Sequence, residues 1–300
     1  MLTMPKLRQL EYLVALDDHA TFRKAAQAVG VSQPTLTQQV QALEARLGAQ
    51  LVQRKSSPVS LTPIGREIVS RARRILLGID EIRKFASEDS VGVAGIVRLG
   101  ISATLGPYLM PEIVAGLHRD FPAMRLHLVE GMLDDQLPLL RRGALDLIIA
   151  TGTVRSQDLE TVALFDEPLR LVAAPDHPLA LKSGLSCADL AGAKVLGLGS
   201  GHVLQHMIAE QCIHHSMELL ADYQGSSLDS LCQMVASGMG IAILPDLYLR
   251  SAVGGRNVVQ HLQVGGWSAC RPVSAVWRAD AGHKSHAEIA QRIRQTAQVL

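Results

Sequence analysis

Residues 21–48, TFRKAAQAVGVSQPTLTQQVQALEARLG, decide the fold of the first part of the chain. They read as two short helices joined by a tight turn. Thr21 is placed to cap the first helix, whose buried side is Phe22, Ala25, Ala26 and Val29. Gly30 falls where the chain reverses, a position that favours a residue tolerant of positive φ. Ser32 caps the second helix, and Pro34 lies in its first turn, where a missing N–H costs nothing. Leu36, Val40, Leu43 and Leu47 then form a single apolar stripe. The opposite face, Pro34, Thr37, Gln38, Gln41 and Ala45, is uncharged where a solvated helix carries mixed charges, and with Ser32, Gln33 and Thr35 at the helix start it supplies the candidate DNA-binding residues. Gln pairs bidentately with adenine in the major groove, and Thr offers a hydroxyl or a methyl. A helix-turn-helix sets the start of its second helix against base edges. Taken alone, the segment also fits an ordinary helical hairpin with a polar surface.

The flanks favour the DNA-binding reading. Residues 6–17 form a preceding helix with Leu7, Leu10, Leu13 and Val14 on its core side. Residues 51–54 and 59–61 alternate as two short strands around the turn 55–58, and a hairpin after three helices is the winged form of the motif. Its Arg54 and Lys55 would contact the phosphate backbone or a minor groove, positioning the protein without reading sequence. Thr62-Pro63 opens a long helix that reaches residue 86. Ile64, Ile68, Ala72, Ile75, Ile79, Ile82 and Ala86 recur along about 36 Å of it as a near-heptad seam. So narrow a stripe calls for a second copy of the helix, and a dimer delivers two reading heads. The net charge of +1 conceals an asymmetry: residues 1–86 hold 13 Lys/Arg against 7 Asp/Glu, and the remainder 16 against 21. A basic head on an acidic body suits double-stranded DNA as the partner.

Residues 87–95 are a polar, glycine-containing hinge, and beyond them strands alternate with helices. That rhythm predicts a parallel sheet with helices on its faces. The apolar segments group into two small α/β lobes that the chain crosses twice, and ligands in such folds sit at strand C-termini between lobes. The expected divisions are a DNA-binding domain over 1–61, a linker and dimerisation helix over 62–86, the hinge, and a regulatory domain over 96–300. Within that domain, lobe I takes about 96–163 and 267–300, and lobe II about 164–266. The N-terminus is too polar for a secretory signal, and no apolar run approaches the ~20 residues of a membrane span. The four cysteines, without CxxC spacing, suit a reducing, cytoplasmic setting. The glycines at 197, 199 and 201 follow a strand, but the third is misplaced for a dinucleotide fingerprint. Neither they nor any nucleophile–base spacing argues for an enzyme or a cofactor; His202, His206 and Glu210, with Cys212, His214 and His215 nearby, could converge on a metal, but scattered surface histidines explain them more cheaply. The glycine loop aims backbone N–H groups at the cleft, which favours a polar or anionic ligand.

The run VSQPTLTQQVQALEARLGAQLVQR with the following SLTPIGR resembles the N-terminal winged helix-turn-helix of LysR-type transcriptional regulators. The remainder resembles that family's periplasmic-binding-protein-like effector domain. Its strings TLGPYLMPEIVAGLHRDFP, LFDEPLRLVAAPDHPLA and SLDSLCQMVASGMGIAILP are similar to those of the OxyR, peroxide-sensing subgroup. The resemblance implies a homodimer or homotetramer that contacts RNA polymerase and carries a small-molecule site near Ser102, Thr104, Leu133, Gly201, His202 and Ser227. It also implies a peroxide chemistry in which a thiolate is oxidised to sulfenic acid and condenses with a second thiol. His202 and Cys212 match the subgroup's histidine and resolving cysteine, but the peroxidatic position holds Val203. Gln205 and His206 replace a basic and an acidic residue, and Leu133 stands for one of two pocket threonines. The expected protein is therefore a regulator with this scaffold and without the two-cysteine switch. A redox response through Cys212 alone is the alternative.

Overall fold

The computed structural model describes residues 4–53, 58–88, 95–225, 227–253, 258–280 and 284–297. They fall into two compact units, Met1–Ser90 and Val91–Leu300.

The first unit opens with α1 (Leu7–His19), α2 (Phe22–Ala28) and α3 (Gln33–Leu47). Thr21 Oγ1 accepts the Lys24 N–H at 3.3 Å, and Ser32 Oγ accepts the Thr35 N–H at 3.2 Å, so each helix starts on its hydroxyl cap. Leu10, Leu13 and Leu16 of α1 close over Ala25, Leu36, Val40 and Leu43. Leu7, assigned to the core side by spacing, is 47% exposed because the buried stripe starts one turn later. The hairpin pairs β1 (Val52–Gln53) with β2 (Ser60–Leu61), antiparallel. Glu44 Oε1 accepts the N–H groups of both Leu51 and Val52, at 2.9 and 3.1 Å, and thereby ties the end of α3 to the first strand. Helix α4 (Pro63–Glu88) outruns its expected end by about two residues. It is fastened to α1 by Arg73, which reaches Asp17 at 2.8 Å and Asp18 at 2.7 Å. Val69 and Ala72 are buried in the unit, whereas Ile64, Ile75 and Ile82 are 54%, 48% and 69% exposed. Half of the seam is thus left for something outside this unit. The side chain of Ala86, at its end, lies outside the described residues.

The second unit runs β3 (Gly95–Ile101), α5 (Gly106–Asp120), β4 (Met124–Glu130), α6 (Leu133–Arg141), β5 (Leu147–Thr151) and β6 (Leu159–Ala173). The short α7 (Pro178–Leu181), β7 (Lys194–Leu198), α8 (Val203–His214), β8 (Glu218–Gly225), α9 (Leu228–Ala236) and β9 (Ile241–Pro245) follow. The chain ends with α10 (Asp246–Tyr248), β10 (Gln260–His261), β11 (Cys270–Arg278) and α11 (Lys284–Ala297). Among the described residues the sheet runs β4-β3-β5-β11-β6-β9-β7-β8, with β10 also on β6. The expected parallel sheet is corrected to a mixed one. β3 lies parallel between β4 and β5, and β7 parallel between β8 and β9, but β11 and β6 run antiparallel to their neighbours. Those two strands carry the chain between lobes, and a strand that returns across a sheet enters it reversed. Leu164 of β6 belongs to one apolar core, with Leu99, Ile113 and Ile289, and Leu169–Ala173 to the other, with Leu196, Ile208 and Leu231. No helix among the described residues is long and apolar enough to cross a membrane.

Candidate DNA interface and interlobe site

On α3 the polar face divides by how its groups are spent. The Ser32 hydroxyl is the cap and also meets Thr35 Oγ1 at 2.7 Å. Thr37 Oγ1 donates back to the Gln33 carbonyl at 2.9 Å. Pro34 is exposed in the first turn. Gln33, Gln38 and Gln41 are exposed, and their amides make no hydrogen bond among the described residues. Three uncommitted amides on one helical face are what adenine recognition requires. Arg54 and Lys55 lie outside the described residues.

The second site sits where the strands of both lobes end. Ser102 follows β3, Leu133 opens α6, Thr151 ends β5, and Gly201, His202 and Val203 enter α8; all line one pocket. Its free space for the centre of a molecule is about 10 Å³, room for one water. Two sequence-assigned residues are not on its wall. Ser227 is the cap of α9, its Oγ accepting the Ser230 N–H at 3.2 Å, so the polar residue expected at the cleft serves a helix end instead. Thr104 is only 4% exposed and stands one hydrogen bond behind the wall, 3.0 Å from Ser102 Oγ.

Behind Thr104 lies a buried charge pair that sequence reading missed. Arg271 of β11 is fully buried and donates from Nε to Glu167 of β6 at 2.7 Å. Its Nη1 and Nη2 donate to Thr104 Oγ1 and to the Thr104 carbonyl, both at 2.9 Å. Glu167 Oε1 takes the Leu247 N–H at 3.0 Å. The Arg271–Glu167 pair thus joins both crossing strands, the loop after β3 through the guanidinium and the start of α10 through the carboxylate. The lobes also touch through Tyr108 of α5 and Tyr248, edge to face at 5.1 Å, with the Tyr248 hydroxyl on Asp229 at 3.2 Å.

Thr151 and Gln136 were also missed, although a polar residue ending an apolar strand is a usable signal. Gln136 spends its amide on the carbonyls of Ile101 and Val129, each at 3.0 Å. In the loop after β7 the Leu198 N–H goes to Gln205 Oε1 at 2.7 Å and the Gly199 N–H to the Gly225 carbonyl at 3.1 Å. Fewer N–H groups face the cleft than the glycines suggested. Val203 closes the pocket against Gly152, whose φ is +87°; a Cβ there would lie 2.9 Å from Val203 Cγ1, so lobe closure needs glycine. Burial lowers the His202 pKa, which keeps the imidazole neutral at pH 7. Cys212 is 3% exposed in the lobe II core, and burial pushes its thiol up to about 11. Among the described residues no three His, Cys, Asp or Glu side chains gather as metal ligands.

Two family models match. "Bacterial regulatory helix-turn-helix protein, lysR family" covers residues 7–66, and "LysR substrate binding domain" covers 90–298. The chain is 39% identical over 241 residues to the DNA-binding transcriptional dual regulator OxyR of Escherichia coli K12, covering 80% of this chain and 79% of that protein. A probable hydrogen peroxide-inducible genes activator of Mycobacterium avium is 32% identical over 95% of this chain and 92% of its own. Among solved structures, a full-length Pseudomonas aeruginosa OxyR with one cysteine replaced by aspartate superposes with a TM-score of 0.79 at 31% identity. The match covers 99% of this chain and 96% of that one. A Corynebacterium glutamicum OxyR cysteine-to-serine mutant with hydrogen peroxide bound gives 0.66 at 27% identity, over 99% of this chain and 96% of that one.

Proposed function

We infer that this chain, which belongs to the LysR family of DNA-binding transcriptional regulators, is switched by a small polar or anionic molecule held between its lobes, without thiol–disulfide exchange. The observation that carries this reading is Val203, a side chain that cannot be oxidised, closing a pocket whose polar groups are the hydroxyls of Ser102 and Thr151, the Gln136 amide, His202 and the N-terminus of α8. Occupancy would shift the lobe angle, a population shift between two assemblies that changes the spacing of the DNA-binding heads. The exposed isoleucines of α4 support dimerisation through that helix, and the reading extends to a tetramer in the cytoplasm that contacts RNA polymerase.

Gln33, Gln38 and Gln41, with Thr35 and Thr37, are the base-reading set in this account. Gln38→Ala is expected to cost about 1–3 kcal/mol of specific affinity. Fluorescence anisotropy at fixed salt checks it, with binding to unrelated DNA unchanged.

The switch is tested by a thermal-shift screen of small polar and anionic compounds, followed by footprinting with each hit. A compound that stabilises the protein, alters the footprint and loses both effects in Val203→Phe supports the reading; hits unaffected by that substitution overturn it. The second reading, a peroxide response through Cys212, draws on the activities named for the relatives. The burial and raised pKa of that thiol oppose it, since the thiolate is the reactive form.

A further inference from the structure

We propose that the interlobe pocket is a receptor for a small monovalent anion, of the size of chloride, nitrite or formate, and that Thr151 is one of its ligands. The proposal rests on the cleft reading above and narrows it to one chemical class.

The first argument is the sign of the lining. Among the described residues no carboxylate faces the pocket. The Thr151 side chain is buried to 3% exposure and makes no hydrogen bond among the described residues, yet it forms part of the wall. The N–H groups of Val203 and Leu204, in the first turn of α8, are likewise unspent among the described residues, and no side chain caps that helix. A twelve-residue helix presents a positive dipole end there.

The second argument follows the protons. Arg271 Nη1 donates to Thr104 Oγ1, so the Thr104 hydroxyl is free to donate to Ser102 Oγ, 3.0 Å away. Ser102 Oγ also accepts the Thr104 N–H at 3.3 Å. With its acceptor capacity filled from behind, Ser102 turns its own proton into the pocket. The buried guanidinium polarises that relay towards donation. Gln136, whose carbonyl oxygen could oppose an anion, lies with Oε1 against Gly100 of β3, 3.1 Å from where a Cβ would stand. Hydroxyls from lobe I and amides from lobe II therefore converge as donors, and an anion between them draws the lobes together.

The third argument is size. Free space for about one water, bounded on one side by Val203 against Gly152, favours the smallest anions, chloride first, over tetrahedral sulfate.

The test is a titration of the full-length protein with sodium formate, nitrite or chloride at constant ionic strength set by gluconate. Formamide serves as the neutral counterpart of formate, and sulfate as the oversized anion. Melting temperature and footprint length are both read. Stabilisation by several degrees with formate or nitrite, absent with formamide and sulfate, lost in Thr151→Val and restored in Thr151→Ser, is the expected result. Equal shifts with formamide, or shifts that persist in Thr151→Val, overturn the anion assignment and leave the cleft reading standing. No shift with any of these ions, alongside an organic hit that Val203→Phe abolishes, has the same meaning. No shift with any ion, and no compound sensitive to Val203→Phe, overturns both.

Discussion

Replacing Arg271 by Met is expected to destabilise the regulatory unit by about 3–5 kcal/mol. The guanidinium is fully buried and opposed by a carboxylate only 1% exposed. Removing it strands Glu167 as an unpaired buried charge, because the one Leu247 N–H on Oε1 cannot replace the bond to Oε2. Thr104 loses two donors in the same step. Urea denaturation of the purified protein measures the loss, and adding Glu167→Gln to the Arg271→Met background should recover part of it by removing the stranded charge. A loss below about 1 kcal/mol would mean that water or relaxation solvates the carboxylate, and that the two crossing strands are not pinned by this pair.

The second large effect is a gain. Val203→Cys places a thiol at the first position of α8, beside His202 and the unspent N–H groups of that turn. A helix N-terminus lowers a thiol's pKa, whereas burial raises that of Cys212. The variant is expected to lose a free thiol to stoichiometric hydrogen peroxide, with sulfenic acid detected by a dimedone-type trap, whereas the parent loses none. Closing a disulfide to Cys212 is a further demand. Nine residues of helix separate the two positions by about 13.5 Å, so α8 must unwind before the bond can form. Trapping of the sulfenic acid ahead of any disulfide is therefore the expected order of events. A variant that stays unreactive would show that the pocket no longer activates a thiol.

How far the chain could be read in advance depended on the range of the interactions. The helices of the DNA-binding unit were legible because capping and apolar spacing act within a few residues: Thr21, Ser32 and the Leu36–Val40–Leu43 stripe do what their positions suggest. Pro111 looks like the first residue of a helix, yet it lies inside one that begins at Gly106 with Pro107 already in the first turn. Of β6, local pattern announces only the apolar end Leu169–Ala173; its first half shows no clean alternation and is fixed by pairing with β11, more than a hundred residues on. The same distance hid the Arg271–Glu167 pair, which local pattern cannot announce. At the interlobe site, Ser102, Leu133, Gly201 and His202 share a wall, while Ser227 was drawn to a helix cap and Thr104 to the guanidinium. Thr151 needed only the rule that ligands gather at strand C-termini.

The most direct test of a ligand-switched, thiol-independent regulator is a DNase footprint of the purified protein on the region upstream of its own gene. It is run with and without hydrogen peroxide, alongside a count of free thiols. The account predicts the same protected length in both lanes and all four thiols retained. A footprint that changes length with peroxide, and ceases to do so in Cys212→Ser, would contradict it and place the switch on the one buried thiol of α8.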